Sequence, residues 1–290
     1  MKKTTVLFIF IGLMAGCGLN PERYFRQGVK LHKQGKILEA IDMYNKALML
    51  KKRFPEAMTS RGLAYEQTKD LQKAIYDYKK AAELTPDYLP AYVNLAALYI
   101  DNESPLAALQ YLDEALGKNP AYSRALLNRG IAYYKLGNYG KSVEDLTKVL
   151  QEDAQSELAY YYRGKAFYSS GKPADSLRDF NALTVLNSRL DAVYFERGKI
   201  KYLLKDFEGA ASDFKEAINM NPESGVFYYW RAFALYKAGY FQDALSDSAE
   251  ALKTIAKPAQ LYSIMGDIHY RTGNLTEALE NYKKAGKADP

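Results

Sequence analysis

The feature that most constrains this chain is self-similarity at a spacing of 34 residues. From Pro21 onward the sequence divides without a gap into eight windows, starting near residues 21, 55, 89, 123, 157, 191, 225 and 259. The segments RGIAYYKLGNYGKSVEDL (129–146), RGKAFYSSGKPADSLRDF (163–180) and RGKIKYLLKDFEGAASDF (197–214) align end to end. A period of this length marks one supersecondary unit copied many times, each copy able to bury its apolar face only on its neighbours.

Within each window, position 4 is large in all eight copies: Tyr24, Met58, Tyr92, Leu126, Tyr160, Tyr194, Tyr228 and Tyr262. Position 8 (Gly28, Gly62, Ala96, Gly130, Gly164, Gly198, Ala232, Gly266) and position 20 (Ala40, Ala74, Ala108, Ser142, Ser176, Ala210, Ala244, Ala278) are always small. Large residues at 4 and 11 with a small one at 8 make one helical stripe, and 20, 24 and 27 make a second. Small residues at 8 and 20 are expected where the two helices cross. Gly35, Gly137, Gly171, Gly239 and Gly273 fall between the stripes, where a left-handed residue ends the first helix.

These residues, in this register, resemble the tetratricopeptide repeat. The resemblance covers 21–290 as one repeat domain. It implies an all-α fold, an α-solenoid of eight tandem helix-turn-helix repeats forming a right-handed superhelix. Ser248 at the usually large position 24, and Val149 and Leu183 at the usually small position 27, depart from the pattern, so local repacking is expected there.

The first residues read differently. A basic start is followed by an apolar stretch from Val6 to Met14 and the small residues Ala15 and Gly16, the layout of a removable secretory signal. The stretch is about half of the ~20 residues a spanning helix needs. Leu13-Met14-Ala15-Gly16-Cys17 resembles a bacterial lipobox. The resemblance implies a lipoprotein signal peptide at 1–16 and a lipidated amino terminus at 17–20, with acyl chains, palmitate among them, on Cys17. Only Gly18, Leu19 and Asn20 separate Cys17 from the first repeat, roughly 10 Å when extended. The cluster Arg23, Arg26, Lys30, Lys33 and Lys36 is then either ordinary solvated surface or a contact with anionic lipid. Gly18, rather than Asp, follows the cysteine, which in the lipoprotein family points, in a cell with two membranes, to the outer membrane, facing the periplasm.

Two arrays stand out within the repeats. Position 7 carries Arg61, Arg129, Arg163, Arg197 and Arg231, and position 23 carries Asp77, Asp145, Asp179, Asp213 and Asp247 in the same five repeats. Residues that occur together suggest contact, so five structural ion pairs are expected within repeats, each worth about 0–1 kcal/mol if exposed. Position 12 carries Tyr134, Tyr168, Tyr202, Tyr236 and Tyr270. In the repeat family, positions 2, 5, 9, 12 and 13 line the concave surface. That mapping adds Tyr161, Lys165, Phe195, Lys199, Tyr229 and Phe233. Two readings stand: a partner-binding groove of rigid rings interleaved with cations, or tyrosines packing on the next repeat. The clamp by which some relatives hold chaperone tails needs Lys and Asn at positions 5 and 9. Phe25, Val29, Leu127 and Ile131 stand there instead.

One Cys and two His among 290 residues argue against a cysteine-rich metal site or a disulfide framework. No metal and no cofactor are expected. The 40 basic residues include Lys2 and Lys3; without them the excess over 34 acidic residues falls from +6 to +4, too small and interspersed to favour nucleic acid. No metalloprotease, phosphate-loop, nucleophile-elbow or dinucleotide motif occurs, so no enzyme is expected. The reading is a lipid-anchored scaffold of the bacterial envelope that binds protein partners through its concave, tyrosine-rich face and serves assembly of an envelope machine. A solute- or carbohydrate-binding lipoprotein is the alternative. Leu279 and Tyr282 of the last helix are expected to be exposed, with self-association through the C-terminal repeat as one outcome.

Overall fold

The computed structural model describes residues 20–256 and 258–288. The signal segment 1–16 and Cys17 lie outside the described residues. Sixteen helices and no strand are found among them, in two compact units that divide between Pro120 and Ala121. The first unit holds the hairpins α1 (Pro21–Lys33) with α2 (Ile37–Leu50), α3 (Pro55–Gln67) with α4 (Leu71–Leu84), and α5 (Leu89–Asp101) with α6 (Pro105–Lys118). The second holds α7 (Ser123–Lys135) with α8 (Tyr139–Glu152), α9 (Glu157–Ser169) with α10 (Pro173–Leu186), α11 (Asp191–Leu203) with α12 (Phe207–Met220), α13 (Gly225–Ala238) with α14 (Phe241–Ala251), and α15 (Ala259–Arg271) with α16 (Leu275–Ala288). Within each unit every helix packs on its hairpin partner, and each even-numbered helix packs on the odd-numbered helix that follows. Each hairpin so buries its stripe on the next. Among the described residues, no helix is long and apolar enough to cross a membrane.

Helix starts follow from local chemistry. Asn20 Oδ1 accepts from the backbone N–H groups of Glu22 and Arg23 at 2.8 and 3.1 Å, and Pro21, Pro55, Pro105 and Pro173 open their helices, where a missing N–H costs nothing. Helix ends depend on position 15, which is left-handed in every hairpin but one type of residue does not always fill it. The five glycines have φ from 75° to 89°, but Lys69, Glu103 and Lys205 adopt φ of 61°, 55° and 65° at the equivalent place.

The centre of a hairpin is a large side chain lying on a bare backbone. A Cβ added to Gly28 would fall 2.6 Å from the Tyr44 ring, one on Gly62 2.6 Å from Tyr78, and one on Gly198 2.7 Å from Phe214. Tyr44, Tyr78, Phe180 and Phe214 are among the largest fully buried side chains. Position 20 also reaches this crossing, since Ser176 Oγ donates to the carbonyl of Gly164 at 2.7 Å. The departures noted in the sequence are accommodated. Ser248 is buried and returns its hydroxyl to the Ala244 carbonyl at 2.7 Å, in the repeat where Ala232 replaces the glycine. Val149 and Leu183 are buried in the core.

Two expectations follow. Lys205→Gly relieves a left-handed side-chain penalty larger than the entropy glycine adds to the unfolded chain, so the unfolding free energy should rise by on the order of 0.5–1 kcal/mol; an unchanged or lower denaturation midpoint contradicts this. Burial pushes the Tyr44 phenol up to about 12 from an ordinary 10.0. The folded state therefore holds this proton more tightly than the unfolded chain. The linked stability is fully present below pH 10 and is lost as pH rises towards about 12. Tyr44→Phe should flatten the alkaline limb of a stability-against-pH curve, and an identical limb in the variant counts against it.

Candidate functional site

Helix crossing at positions 8 and 24 places positions 7 and 23 side by side. In five hairpins the arginine uses Nε and Nη2 to grip both oxygens of the aspartate: Arg61 on Asp77, Arg129 on Asp145, Arg163 on Asp179, Arg197 on Asp213 and Arg231 on Asp247, all at 2.6–3.0 Å. The aspartate side chains are 2–6% exposed. The small value of an exposed pair therefore does not apply. Burial pushes the Asp77 and Asp179 carboxyls up, while Arg61 and Arg163 pull them back down. The Asp247 carboxylate raises the Arg231 guanidinium, against burial.

The arginines also tie one hairpin to the one before it. Arg61 Nη1 donates to Asn45 Oδ1 at 2.5 Å, Arg163 Nη1 to Thr147 Oγ1 at 3.2 Å, and Arg197 Nη1 to Thr184 Oγ1 and Asn181 Oδ1 at 2.8 and 3.3 Å. All the acceptors come from the second helix of the preceding hairpin. Arg61, Arg163 and Arg197 are thus occupied at Nε, Nη1 and Nη2 alike.

The odd-numbered helices of the second unit carry the aromatic face. Tyr134, from α7, meets Tyr162 of α9 at 5.6 Å between ring centroids. Lys165 Nζ lies 5.4 Å from the Tyr134 ring and 5.2 Å from the Tyr161 ring. One hairpin later, Lys199 Nζ lies 5.8 Å from Tyr168 and 5.1 Å from Phe195. Each lysine thus sits near a ring of its own helix and a ring of the preceding hairpin. Glu196 joins the two cations, 2.6 Å from Lys199 Nζ and 3.9 Å from Lys165 Nζ. Burial works to lower the Lys165 pKa, but Tyr161, Tyr134 and Glu196 hold it above the ordinary lysine value. Burial raises the Tyr161, Tyr202 and Tyr229 phenols, which stay protonated at neutral pH.

Further along, Tyr202 packs edge-on against Trp230 at 5.8 Å, and Phe195 packs on Phe227 at 4.9 Å. Tyr229 packs at a tilt against Phe233, with ring centroids 4.8 Å apart, and hydrogen-bonds Gln260. Tyr236 differs from the groove expectation: it is 9% exposed, donates to Asp267 Oδ2 at 3.0 Å, and has the Arg271 guanidinium 5.4 Å from its ring. It is a packing residue, because Asp267 of the next hairpin accepts its hydroxyl. Tyr270, at the same position one repeat on, is 64% exposed. Leu279 and Tyr282 of α16 are 56% and 39% exposed. Tyr134, Tyr168, Tyr202 and Tyr236 therefore each meet the next hairpin, and the rings between Tyr134 and Tyr202 keep part of their surface open.

Sequence reasoning passed over position 6. Tyr162, Glu196 and Trp230 hold it in successive hairpins, and it receives the position-12 ring or bridges the lysines. The signal was present in the uniqueness of Trp230 as the sole tryptophan. Among the described residues, no group of three or more His, Cys, Asp or Glu side chains is placed to hold a metal.

An all-α array of helical hairpins with a ring-and-cation face defines a repeat protein of the interaction-scaffold class. Sequence profiles described as tetratricopeptide repeat match residues 93–157, 161–224 and 195–260, with further matches at 55–88 and 259–290. The chain belongs to the tetratricopeptide repeat family. A tetratricopeptide repeat protein from Parabacteroides merdae is 26% identical over 77% of this chain and 87% of that one, with a TM-score of 0.56. PilW, a widely conserved type IV pilus biogenesis factor, is 20% identical over 70% of this chain and 94% of its own, with a TM-score of 0.65. PilF of Pseudomonas aeruginosa is 20% identical over 68% and 89%, with a TM-score of 0.60. The likeness to PilW and PilF is one of fold. Among curated proteins no sequence matches this chain.

Arg163→Met should destabilise the fold by about 3–5 kcal/mol, because it strands a buried carboxylate, and adding Asp179→Leu should restore most of the loss. Urea unfolding of the two variants checks this. A single-variant cost no larger than that of an exposed pair, or no recovery in the double variant, contradicts the buried-pair account.

Proposed function

We propose that this protein is a lipid-anchored scaffold of the bacterial cell envelope, and that the odd-helix face of its second unit takes a protein segment bearing apolar and acidic side chains. The observation that carries the reading is the repeated setting of Lys165 and Lys199, each between two rings and each in contact with Glu196. Rings and cations held in place before a partner arrives lose little side-chain entropy on binding, the condition under which a few residues dominate an interface. Acidic side chains of the partner would compete with Glu196 for the lysines, while apolar ones would use the open ring edges. The protein acts by binding and carries out no reaction.

The anchor reading rests on the lipobox resemblance at Cys17, and the near edge of the first unit is compatible with it. Asn20 caps α1, and Glu22 of its first turn pairs with Lys51 at 3.0 Å, which brings the turn after α2 to the same edge. The last two residues of α2, Met49 (79%) and Leu50 (42%), are exposed there, and Lys51, Lys52 and Arg53 follow, all exposed. Apolar tips with a basic flank suit an anionic lipid surface a few residues from an acyl chain. The outer membrane, facing the periplasm, is the proposed location. PilW, similar in fold, is a pilus biogenesis factor, and assembly of an envelope machine of that kind is the process proposed here.

Charge removal across the whole cluster separates the scaffold function from the packing of the rings. With the protein cross-linked in its native envelope and recovered after solubilisation, the triple variant Lys165→Gln, Glu196→Gln and Lys199→Gln, which strands no charge of the Lys–Glu–Lys cluster, should abolish capture of the protein partner while the helical signal and thermal midpoint stay near those of the parent. Retained capture, or capture of glycan alone, refutes the proposed mode. Intact mass of the purified mature chain should show acyl additions beginning at Cys17, and an unmodified Cys17 removes the anchor.

A further inference from the structure

The Nη1 nitrogens of Arg61, Arg163 and Arg197 have a second role, reaching the preceding hairpin, that Nη1 of Arg231 lacks. Where a neutral acceptor stands at position 25 of the preceding hairpin, Nη1 is engaged, by Asn45, Thr147 and Asn181 in turn. At the junction of α12 with the α13–α14 hairpin, position 25 is Lys215, whose ammonium can donate but not accept. Arg231 still grips Asp247 through Nε and Nη2, and its Nη1 has no acceptor among the described residues. Lysine at position 25 is not by itself the anomaly. Lys79 holds the same position, but Leu95, not an arginine, follows it in the next repeat. Only at the α12–α13 junction do a position-25 lysine and a position-7 arginine meet.

The missing acceptor leaves space as well as unused donors. A cleft of about 500 Å³ opens at this junction, with Ser212, Lys215, Arg231, Leu235, Asp243 and Ser246 in its walls. Its donors come from three helices, the ammonium and one hydroxyl from α12, the guanidinium from α13 and a second hydroxyl from α14. Leu235 and Ala211 add an apolar wall.

We infer that this cleft seats a carboxylate group from an acidic protein segment, held between Lys215 Nζ and Arg231 Nη1 in the place that Asn45, Thr147 and Asn181 fill at three other junctions. The net charge of the walls selects the ligand. Asp243 and Asp247 share the cleft with the two cations, so a dianionic phosphate meets two carboxylates at close quarters. A planar monoanion meets the donors and leaves its methylene stem for Leu235. The cleft is a different surface from the ring-and-lysine face, and the inference does not depend on that face being occupied.

The test uses the full chain in detergent with nitrogen-15 label, following the Nε–Hε resonance of Arg231, assigned by its disappearance in Arg231→Lys. Acetate is titrated at constant ionic strength against chloride, with inorganic phosphate as a third arm. The expected result is a saturable shift with acetate, not with chloride. The shift is lost in Lys215→Asn, which supplies the acceptor found at the other junctions and should also raise the thermal midpoint. Lys215→Met, which removes the charge without supplying an acceptor, should weaken the response several-fold while leaving the midpoint unraised. Equal shifts with chloride, an acetate response undiminished in Lys215→Asn, or a stronger response to phosphate than to acetate overturns the assignment.

Discussion

A side chain lying flat on a backbone that has no Cβ sets the geometry of this protein. Where Tyr44, Tyr78, Phe180 or Phe214 covers its glycine, the two helices of a hairpin sit at a spacing that no added methyl would allow. Glycine inside a helix costs roughly 0.5–1 kcal/mol relative to alanine. The buried ring that lies in the gap contributes more than this, on the order of 1.5–3 kcal/mol. The same contact positions its neighbours. Positions 7 and 23 stand one residue before the glycine and the ring, so the arginine reaches its aspartate because the crossing has already brought the helices together.

The arginine then carries the order of one hairpin into the next. Its Nε and Nη2 close the pair inside a repeat, and Nη1 reaches back to the preceding one at Asn45, Thr147, Asn181 and Thr184. A guanidinium suits this use because its donors form a rigid fork that points in two directions at once. A lysine in the same place would hold the aspartate without fixing the neighbour. Stacked aromatic residues beside the fork, such as Tyr160 and Phe167 around Arg163, help to shield the buried charge from water.

Much of this was legible in the sequence, for a physical reason. Residues that meet inside one repeat are repeated together, so the hairpin, its glycine ends and the Arg–Asp partnership appear as columns 34 residues apart. What one column cannot show is which way a side chain leans when its partner belongs to the next repeat and varies from copy to copy. Position 12 is tyrosine five times. Yet Tyr236 is buried against Asp267, Tyr202 rests on Trp230, and Tyr270 stands 64% exposed. The outcome depends on positions 6 and 9 of the following helix, where Tyr162, Glu196, Trp230 and Asp267 differ. The same blindness hid the third arm of the arginines, since their acceptors at position 25 are read only by comparing each repeat with its predecessor.

The lysines of the aromatic face are built across seams. Lys165 has one ring from α7 and one from α9, and Lys199 has one from α9 and one from α11. Neither cage exists inside a single hairpin, so each is complete only while its seam is closed. Flexing the second unit along its length would change every cage together, widening or tightening them as the curvature alters. A ligand spanning both lysines therefore works as a splint: it grips best at one bend of the spring, and in gripping it stiffens the spring at that bend.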